Sequence, residues 1–246
     1  MFIFSLFTSE LLATNYISLG PEIYHMRRTR KGGTEQTGVM KGVRFTYDRI
    51  QPCSWYLGAD VFISEGPLSG HNARMRPLRS TLKDTIYEGR LGFTLQQPTL
   101  RCSFITPFGG YGHFRETNDF QSPSPIPFTF IDTFNYVAAG FLSGVNFTPL
   151  LSIGVNFKVE FMLNGKSHVK DDPLQPPINL KFKNEINTRL EIPLVFRFCV
   201  LHSRFSAILA PFYEFRHFGG QQGFPFDFID TKFYLIGARA SLGFAF

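Results

Sequence analysis

Apolar and polar residues alternate with a period of two along most of this chain. Between residues 152 and 163, for example, the odd positions are all apolar, whereas the even positions are mostly Ser, Gly, Asn, Lys or Glu. This period is that of a β-strand with one apolar face and one polar face. The pattern predicts ten strands, at residues 16–26, 38–49, 55–64, 82–95, 100–113, 134–147, 152–163, 185–200, 205–217 and 233–246.

The connections between these strands alternate in length. Tight turns are predicted at 51–54, 96–99, 148–151 and 201–204, and long polar or Pro/Gly-rich loops at 27–37, 66–81, 114–133, 165–184 and 218–232. Short turns at one end and long loops at the other are typical of transmembrane β-barrels. The sequence therefore predicts an all-β fold, an antiparallel up-and-down transmembrane β-barrel of about ten strands, with eight or twelve if a weak segment is misassigned. A soluble sandwich or lipocalin-like barrel also alternates and stays as the alternative.

Composition agrees with a single membrane barrel. The chain has 246 residues, of which 43% are hydrophobic and 18% charged, and its mean hydropathy of −0.03 is too low for a bundle of membrane helices. A barrel needs apolar residues on only one face of each strand, so a chain of this mean hydropathy can still cross a bilayer. Because every strand needs both neighbours for its backbone hydrogen bonds, we expect residues 14–246 to form one domain.

The first thirteen residues and the cysteines suggest an exported protein. Residues 1–13 combine a short apolar core with small residues near Ala13, which predicts a secretory signal peptide or its remnant, although a basic start is missing. A first strand beginning at Met1 is the alternative. Cys53, Cys102 and Cys199 all fall near predicted tight turns, where they are either free buried thiols or partners for disulfides with other envelope proteins.

The last strand, FYLIGARASLGFAF, carries its apolar face to an aromatic residue at position 246. It resembles the closing strand of Gram-negative outer-membrane β-barrel proteins, which serves as their assembly signal. The resemblance rests on Gly237, Leu242, Phe244 and Phe246. It implies an outer-membrane location and recognition by the barrel-assembly machinery, and an even number of strands would put both termini in the periplasm. The Phe-rich composition and the cysteines also resemble chlamydial outer-membrane proteins.

If the apolar faces meet lipid, the opposite faces point into the lumen and bring charges with them. Acidic and basic residues are nearly balanced there, which predicts a narrow lumen filled by ion pairs rather than an open pore. A wet sheet face with unpaired charges is the alternative. The predicted lumen charge network comprises Glu22, Arg44, Asp60, Glu88, Arg90, Lys158, Glu160, Arg189, Glu191, Arg197, Glu214, Arg216 and Arg239, with Asp48 and Asp84 on the same face.

A formal net charge of +6 includes a basic run in the first long loop. Lipopolysaccharide phosphates would attract such residues, and the predicted contacts are Arg27, Arg28, Arg30 and Lys31. We expect outer-membrane lipid and lipopolysaccharide as partners, together with a host or envelope protein. No nucleic-acid-binding motif accompanies the basic residues, so nucleic acid is not expected. The protein is expected to be a monomer.

The sequence contains no catalytic motif, and no cofactor or metal site is expected. Histidines and aspartates do gather at one rim, including His113 and Asp171. Ten-stranded barrels include the omptin surface proteases, but no omptin motif is present to carry residues over. Three hypotheses follow: a non-enzymatic surface structural or interaction protein of the adhesin or antigen type, a narrow pore or transporter for small solutes, and an omptin-like surface protease.

Overall fold

In the computed structural model, the described part of the chain is residues 14–97, 103–125, 127–173, 176–200, 203–220 and 230–246. The predicted signal segment and Cys102 lie outside these residues. Antiparallel strands make up one sheet. They are β1 (Thr14–Arg30), β2 (Thr34–Ile50), β3 (Ser54–His71), β4 (Pro77–Gln97), β5 (Ser103–Gln121), β6 (Thr129–Asn146), β7 (Leu151–Ile153), β8 (Asn156–Lys170), β9 (Ile178–Lys181), β10 (Ile186–Glu191), β11 (Leu194–Val200), β12 (Ser203–Phe218) and β13 (Thr231–Ala245).

The sheet closes on itself through β1, which pairs with β2 on one side and with β13 on the other. Asn15 and Phe246 exchange two backbone hydrogen bonds of 3.1 and 2.9 Å at the seam. Strands β7 and β8 together occupy one position in the wall, and β9, β10 and β11 occupy the next. The ring therefore has ten positions, and the predicted antiparallel barrel of about ten strands is confirmed.

Two wall positions are interrupted near the middle of the barrel. Gly154 separates β7 from β8, and Pro193, which has no backbone N–H, separates β10 from β11. The Gly154 N–H donates to the Pro193 carbonyl at 2.9 Å. The Ser143 hydroxyl donates to the Val155 carbonyl at 2.6 Å and accepts from the Val155 N–H at 3.1 Å. These bonds satisfy backbone groups that the regular ladder leaves unpaired.

Most of the predicted long loops are in fact strand, and this prediction was wrong. The hairpin predicted to have a loop at 27–37 has only a three-residue turn at 31–33, in which Gly32 and Gly33 have φ values of 98° and 87°. The connections at the same end are 72–76, 122–128, 171–177 and 219–230. The strands continue because their backbone ladder persists after the outward side chains have become polar.

The outer wall carries an apolar band bounded by polar residues at one end. Outward apolar side chains in the band include Leu19, Ile23, Val43, Leu57, Ile63, Leu91, Ile105, Phe161, Leu190, Leu209, Ile236 and Leu242. Beyond it, outward positions carry residues such as Arg27, Lys83, His113 and Lys166. We call this polar end the far end, and the end with the 51–53 turn and Phe246 the near end. No helix in the described residues is long and apolar enough to cross a membrane.

Candidate functional site: a filled lumen

An ion-pair network occupies the middle of the lumen. Arg44 on β2 donates to Glu22 at 2.8 Å and to Asp60 at 2.7 Å. Asp60 also accepts from Arg90 at 2.8 Å, and Arg90 pairs with its neighbour Glu88. These side chains alternate with outward apolar residues along β1 to β4, so strand parity alone turns them inward.

Arg189 on β10 links three carboxylates from three strands. It donates to Glu214 at 2.7 Å, to Glu22 at 3.1 Å and to Glu191 at 3.2 Å. Its guanidinium also lies 3.8 Å from the ring centroid of Phe212, a favourable cation–π distance. Because β12 and β13 separate β10 from β1, the bond to Glu22 reaches around part of the lumen rather than along the wall.

Arg216 spans the full width of the lumen. It donates to Asp84 on β4 at 2.6 Å and also pairs with Glu214 beside it. Strands β12 and β4 are five positions apart in a ring of ten, so this bond joins opposite walls. Tyr24 donates to the same Asp84 at 3.4 Å and shares a hydrogen bond with Ser64 at 2.8 Å. These side chains leave little open cross-section in the lumen at the level of the Arg216–Asp84 bond.

A layer of phenylalanines lies on the far side of the ion pairs. Phe114, Phe134, Phe182, Phe218 and Phe233 are each no more than 5% exposed. Phe218 is central, with ring centroids 4.8 Å from Phe233, 5.4 Å from Phe134 and 5.7 Å from Phe182. These rings come from β5, β6, β12, β13 and the segment between β9 and β10, so they converge from much of the circumference.

A second polar group is buried beside the phenylalanine rings, with Arg28 5.3 Å from the ring centroid of Phe233. Arg28 lies 3.8 Å from Glu116, and both are almost completely buried. The Arg28 nitrogens, both Glu116 carboxylate oxygens and the Asn118 side-chain amide have no hydrogen-bond partner among the described residues. Asp132 stands opposite Glu116 in the sheet register. Sequence reasoning missed this group because it treated residues 27–37 and 114–133 as loops.

The structure brings most of the predicted lumen charges into one network. Lys158 joins it through Glu88 and Glu160, both at 2.8 Å, and Arg239 joins through Glu191 at 2.7 Å. Arg197 lies apart and donates to Asn146 at 2.9 Å and to Ser152 at 3.1 Å. The continued parity of β1 through Tyr24 and Met26 is the signal that could have placed Arg28 in the lumen as well.

Only two of the four predicted lipopolysaccharide contacts face outward. Arg27 is exposed and pairs with Glu35 at 2.9 Å, and Lys31 is exposed in the turn. The prediction for Arg28 was wrong because it shares the inward parity of Glu22 and is 3% exposed. Arg30 shares that inward parity but is only partly buried, with its guanidinium 4.9 Å from the ring of the buried Phe130, and its contact with lipopolysaccharide stays a prediction.

In the described part of the rim, the histidines and acids form several separate groups. His113 is on the outer wall and hydrogen-bonds Asn135 at 2.9 Å, whereas Asp171 lies 3.4 Å from Lys170. His217 bonds Asp230 at 2.7 Å on the outer surface. Among the described residues, no group of three or more His, Cys, Asp or Glu side chains is arranged to hold a metal ion.

The residues of the predicted assembly signal lie along β13 at the closing seam. Leu242 is exposed on the lipid-facing side, and the ring centroids of Phe244 and Phe246 are 5.8 Å apart. Gly237 faces inward where β13 approaches β1 closely, since a Cβ there would lie 2.3 Å from the Ile23 carbonyl oxygen. Cys53 and Cys199 are exposed and free at the near end.

Comparison with solved structures finds membrane barrels. The outer membrane protease OmpT of Escherichia coli aligns over 96% of this chain and 98% of its own, with a TM-score of 0.63 and 11% identity. The translocator domain of the autotransporter NalP of Neisseria meningitidis aligns over 95% and 88%, with a TM-score of 0.53 and 9% identity. No protein-family model and no curated protein matches the sequence. The chain therefore has the fold of Gram-negative outer-membrane β-barrel proteins.

Proposed function

We propose that this protein spans the bacterial outer membrane as a monomer, with its near end in the periplasm. It acts at the cell surface as a non-enzymatic interaction protein of the adhesin or antigen type, with a closed lumen. The observation that carries the proposal is the filling of the lumen, because a barrel that passes nothing through its interior must work through its exposed surface.

Three groups of buried side chains support a closed lumen. Cations and carboxylates from opposite walls meet in the Arg216–Asp84 bond. The phenylalanine rings around Phe218 and the buried Arg28–Glu116 pair fill the lumen further toward the far end, with Arg28 5.3 Å from the ring centroid of Phe233. Widely open channels come with about 16 to 18 strands, whereas a ring of about ten leaves room for little more than its own side chains. A narrow pore is therefore the weaker hypothesis.

The arrangement of the rim favours a non-enzymatic role over an omptin-like protease. General acid–base chemistry needs a base within hydrogen-bond reach of the group it activates, beside a cleft that holds substrate. His113 instead lies on the outer wall with Asn135, and Asp171 sits at the 171–177 connection. The lumen between them is occupied by the buried rings described above.

The far-end surface is basic, which favours polyanionic partners. Among the described residues, the exposed or half-exposed acidic residues there are Glu35, Glu65, Asp119, Asp171, Asp172, Glu185 and Asp230. The basic residues outnumber them and are Arg27, Arg30, Lys31, Lys41, Arg74, Arg76, Arg79, Lys83, Arg115, Lys166, Lys170, Lys181, Lys183 and Lys232. Those next to the apolar band, such as Lys41, would contact lipopolysaccharide phosphates, and those at the tip would meet external polyanions.

Chromatography on immobilised heparin, used as a polyanionic probe, tests the surface role. The variant Arg74→Gln/Arg76→Gln removes two charges from the 72–76 connection without disturbing its backbone, which the Asn72 side chain holds by accepting from both N–H groups at 2.9 and 3.0 Å. We expect this variant to elute at lower salt than the wild type. The matched control, Arg49→Gln, removes one outward charge near the 51–53 turn and should elute close to the wild type. Identical elution of all three proteins would contradict the proposal.

Thiol labelling in intact cells tests the orientation separately. Ala73→Cys, in a background with the three native cysteines replaced by serine, places one thiol in the 72–76 connection, where position 73 is exposed. We expect a membrane-impermeant maleimide to label it in intact cells. In the otherwise native protein, Cys53 and Cys199 should be labelled only after the outer membrane is permeabilised. The reverse pattern would place the far end in the periplasm.

A further inference from the structure

A cavity of about 180 Å³ lies in the near half of the lumen. Its inner end is formed by the ion-pair network, including Arg44 and Arg189, and its sides include Tyr16, Arg197 and Arg239. The network and the phenylalanine layer close the lumen beyond it. The cavity is therefore a blind pocket on the near side of the ion pairs.

The cavity is lined by more cations than carboxylates. Six basic side chains contribute to its wall against the three carboxylates of Asp48, Asp60 and Glu191. The compensating acids, such as Glu22, Glu88, Glu214 and Glu116, lie deeper, so the lumen is polarised along its axis with its positive side toward the near end. In a partly desolvated space such an arrangement attracts anions strongly.

Two of these cations are incompletely neutralised by carboxylates of the described residues. Arg197 bonds only neutral groups among the contacts seen for it, namely the Asn146 amide and the Ser152 hydroxyl. Arg239 has Glu191 as its carboxylate partner, and Glu191 is shared with Arg189. The Arg239 Nε is buried and has no hydrogen-bond partner in the described part of the protein.

Hydroxyl groups line the same cavity as these two arginines. They include those of Tyr16 on β1 and Ser152 on β7, and the Ser152 hydroxyl accepts from Arg197 at 3.1 Å. Guanidinium and hydroxyl groups on β1, β7, β11 and β13 therefore surround one space, and they match the oxygens of a tetrahedral oxyanion.

We propose that this cavity binds inorganic phosphate or a small phosphate ester that enters from the near end. Arg197 and Arg239 supply the charge, and the hydroxyls of Tyr16 and Ser152 supply further hydrogen-bonding groups. The ligand is held rather than conducted, because the Arg189 and Arg216 ion pairs close the pocket above it. This inference needs only the geometry of the lumen and stands independently of the surface role.

Isothermal titration calorimetry tests the site on the full chain folded in a detergent without phosphate. We expect saturable binding of inorganic phosphate, and of glycerol 3-phosphate as the ester, but none of chloride at equal ionic strength. Arg197→Gln should raise the Kd at least about tenfold, whereas the outward-facing control Arg49→Gln should leave it unchanged. Absence of saturable phosphate binding to the wild type, or unchanged affinity in Arg197→Gln, would overturn the proposal. Binding of the ester alone would overturn the assignment of free phosphate.

A second variant distinguishes loss of the Arg197 charge from a folding defect in Arg197→Gln. Asn146 accepts from Arg197 Nη1 at 2.9 Å, so Asn146→Asp is isosteric and places a carboxylate on the same guanidinium. The added carboxylate neutralises Arg197 and repels phosphate, and we expect the same loss of affinity. A folded Asn146→Asp protein that binds phosphate as the wild type does would refute the role of Arg197. Boiled and unboiled gel samples report folding for every variant.

Discussion

Replacing Arg189 with methionine should destabilise the barrel strongly. The guanidinium is 6% exposed and binds carboxylates of Glu22, Glu191 and Glu214. Methionine keeps an unbranched apolar side chain over the Phe212 ring, so the change removes charge and hydrogen bonds more than packing. After the change, three buried carboxylates share the remaining cations.

The magnitude follows from which partners remain. Glu22 retains Arg44, Glu191 retains Arg239 and Glu214 retains Arg216. Each of the three carboxylates therefore keeps one cationic partner. Each also loses the positive charge that Arg189 supplied, in a space with little water to replace it. Removing one partner of a buried ion pair costs about 3 to 5 kcal/mol, and we expect a loss within that range in the free energy of unfolding.

Urea unfolding in lipid vesicles measures this loss, using the fluorescence of the single tryptophan. Trp55 is on the outer wall, 68% exposed to the lipid side, and its emission should change when it leaves the bilayer. The matched control is Arg27→Met, which removes a solvent-exposed pair with Glu35 and should cost far less than Arg189→Met because water and salt screen that pair. An Arg189→Met protein no less stable than the control would refute the view that this network holds the barrel together.

Three further predictions use the same protein. Arg28→Met and Glu116→Gln should each lower the free energy of unfolding in vesicles by about 3 kcal/mol, because each leaves a buried charge without its partner. The double variant should lose clearly less than the sum of the two single losses. Losses that simply add would contradict the pairing of Arg28 with Glu116. Gly237→Val should abolish the heat-modifiable gel band, because its Cβ would lie 2.3 Å from a backbone oxygen, whereas Gly89→Val, with nothing within 4 Å, should keep it. Deleting Phe246 should slow insertion into proteoliposomes that contain the barrel-assembly machinery, and an unchanged rate would argue against its role as a signal.

Strand positions and the closure of the barrel could be predicted because the apolar band imposes a simple alternation on the outward face. That signal fails beyond the band. Around Arg28 and Glu116, the outward neighbours Arg27 and Arg115 are polar as well, so a hydrophobic period of two disappears while the hydrogen-bonded ladder continues. Inward phenylalanines such as Phe114 were consequently assigned to a loop, although they seal the lumen.

The alternation of residues along each strand predicts which charged side chains point inward. It cannot predict which of them form ion pairs across the lumen. Arg216 and Asp84 are 132 residues apart in sequence, and their contact depends on the width of the ring and the stagger of its strands. The breaks at Gly154 and Pro193 were missed because a single glycine or proline does not interrupt the apolar alternation around it. Arg197 was correctly placed on the inward face, but its hydrogen bonds to the neutral groups of Asn146 and Ser152 could be seen only in three dimensions.

Planar-bilayer recording of the purified, folded protein tests the closed lumen most directly. We predict no unitary conductance steps over a wide range of voltages for a preparation that is fully heat-modifiable on gels. Reproducible unitary steps from the wild-type protein, with an ion selectivity that changes in Arg189→Met, would show a continuous path through the network and contradict the account.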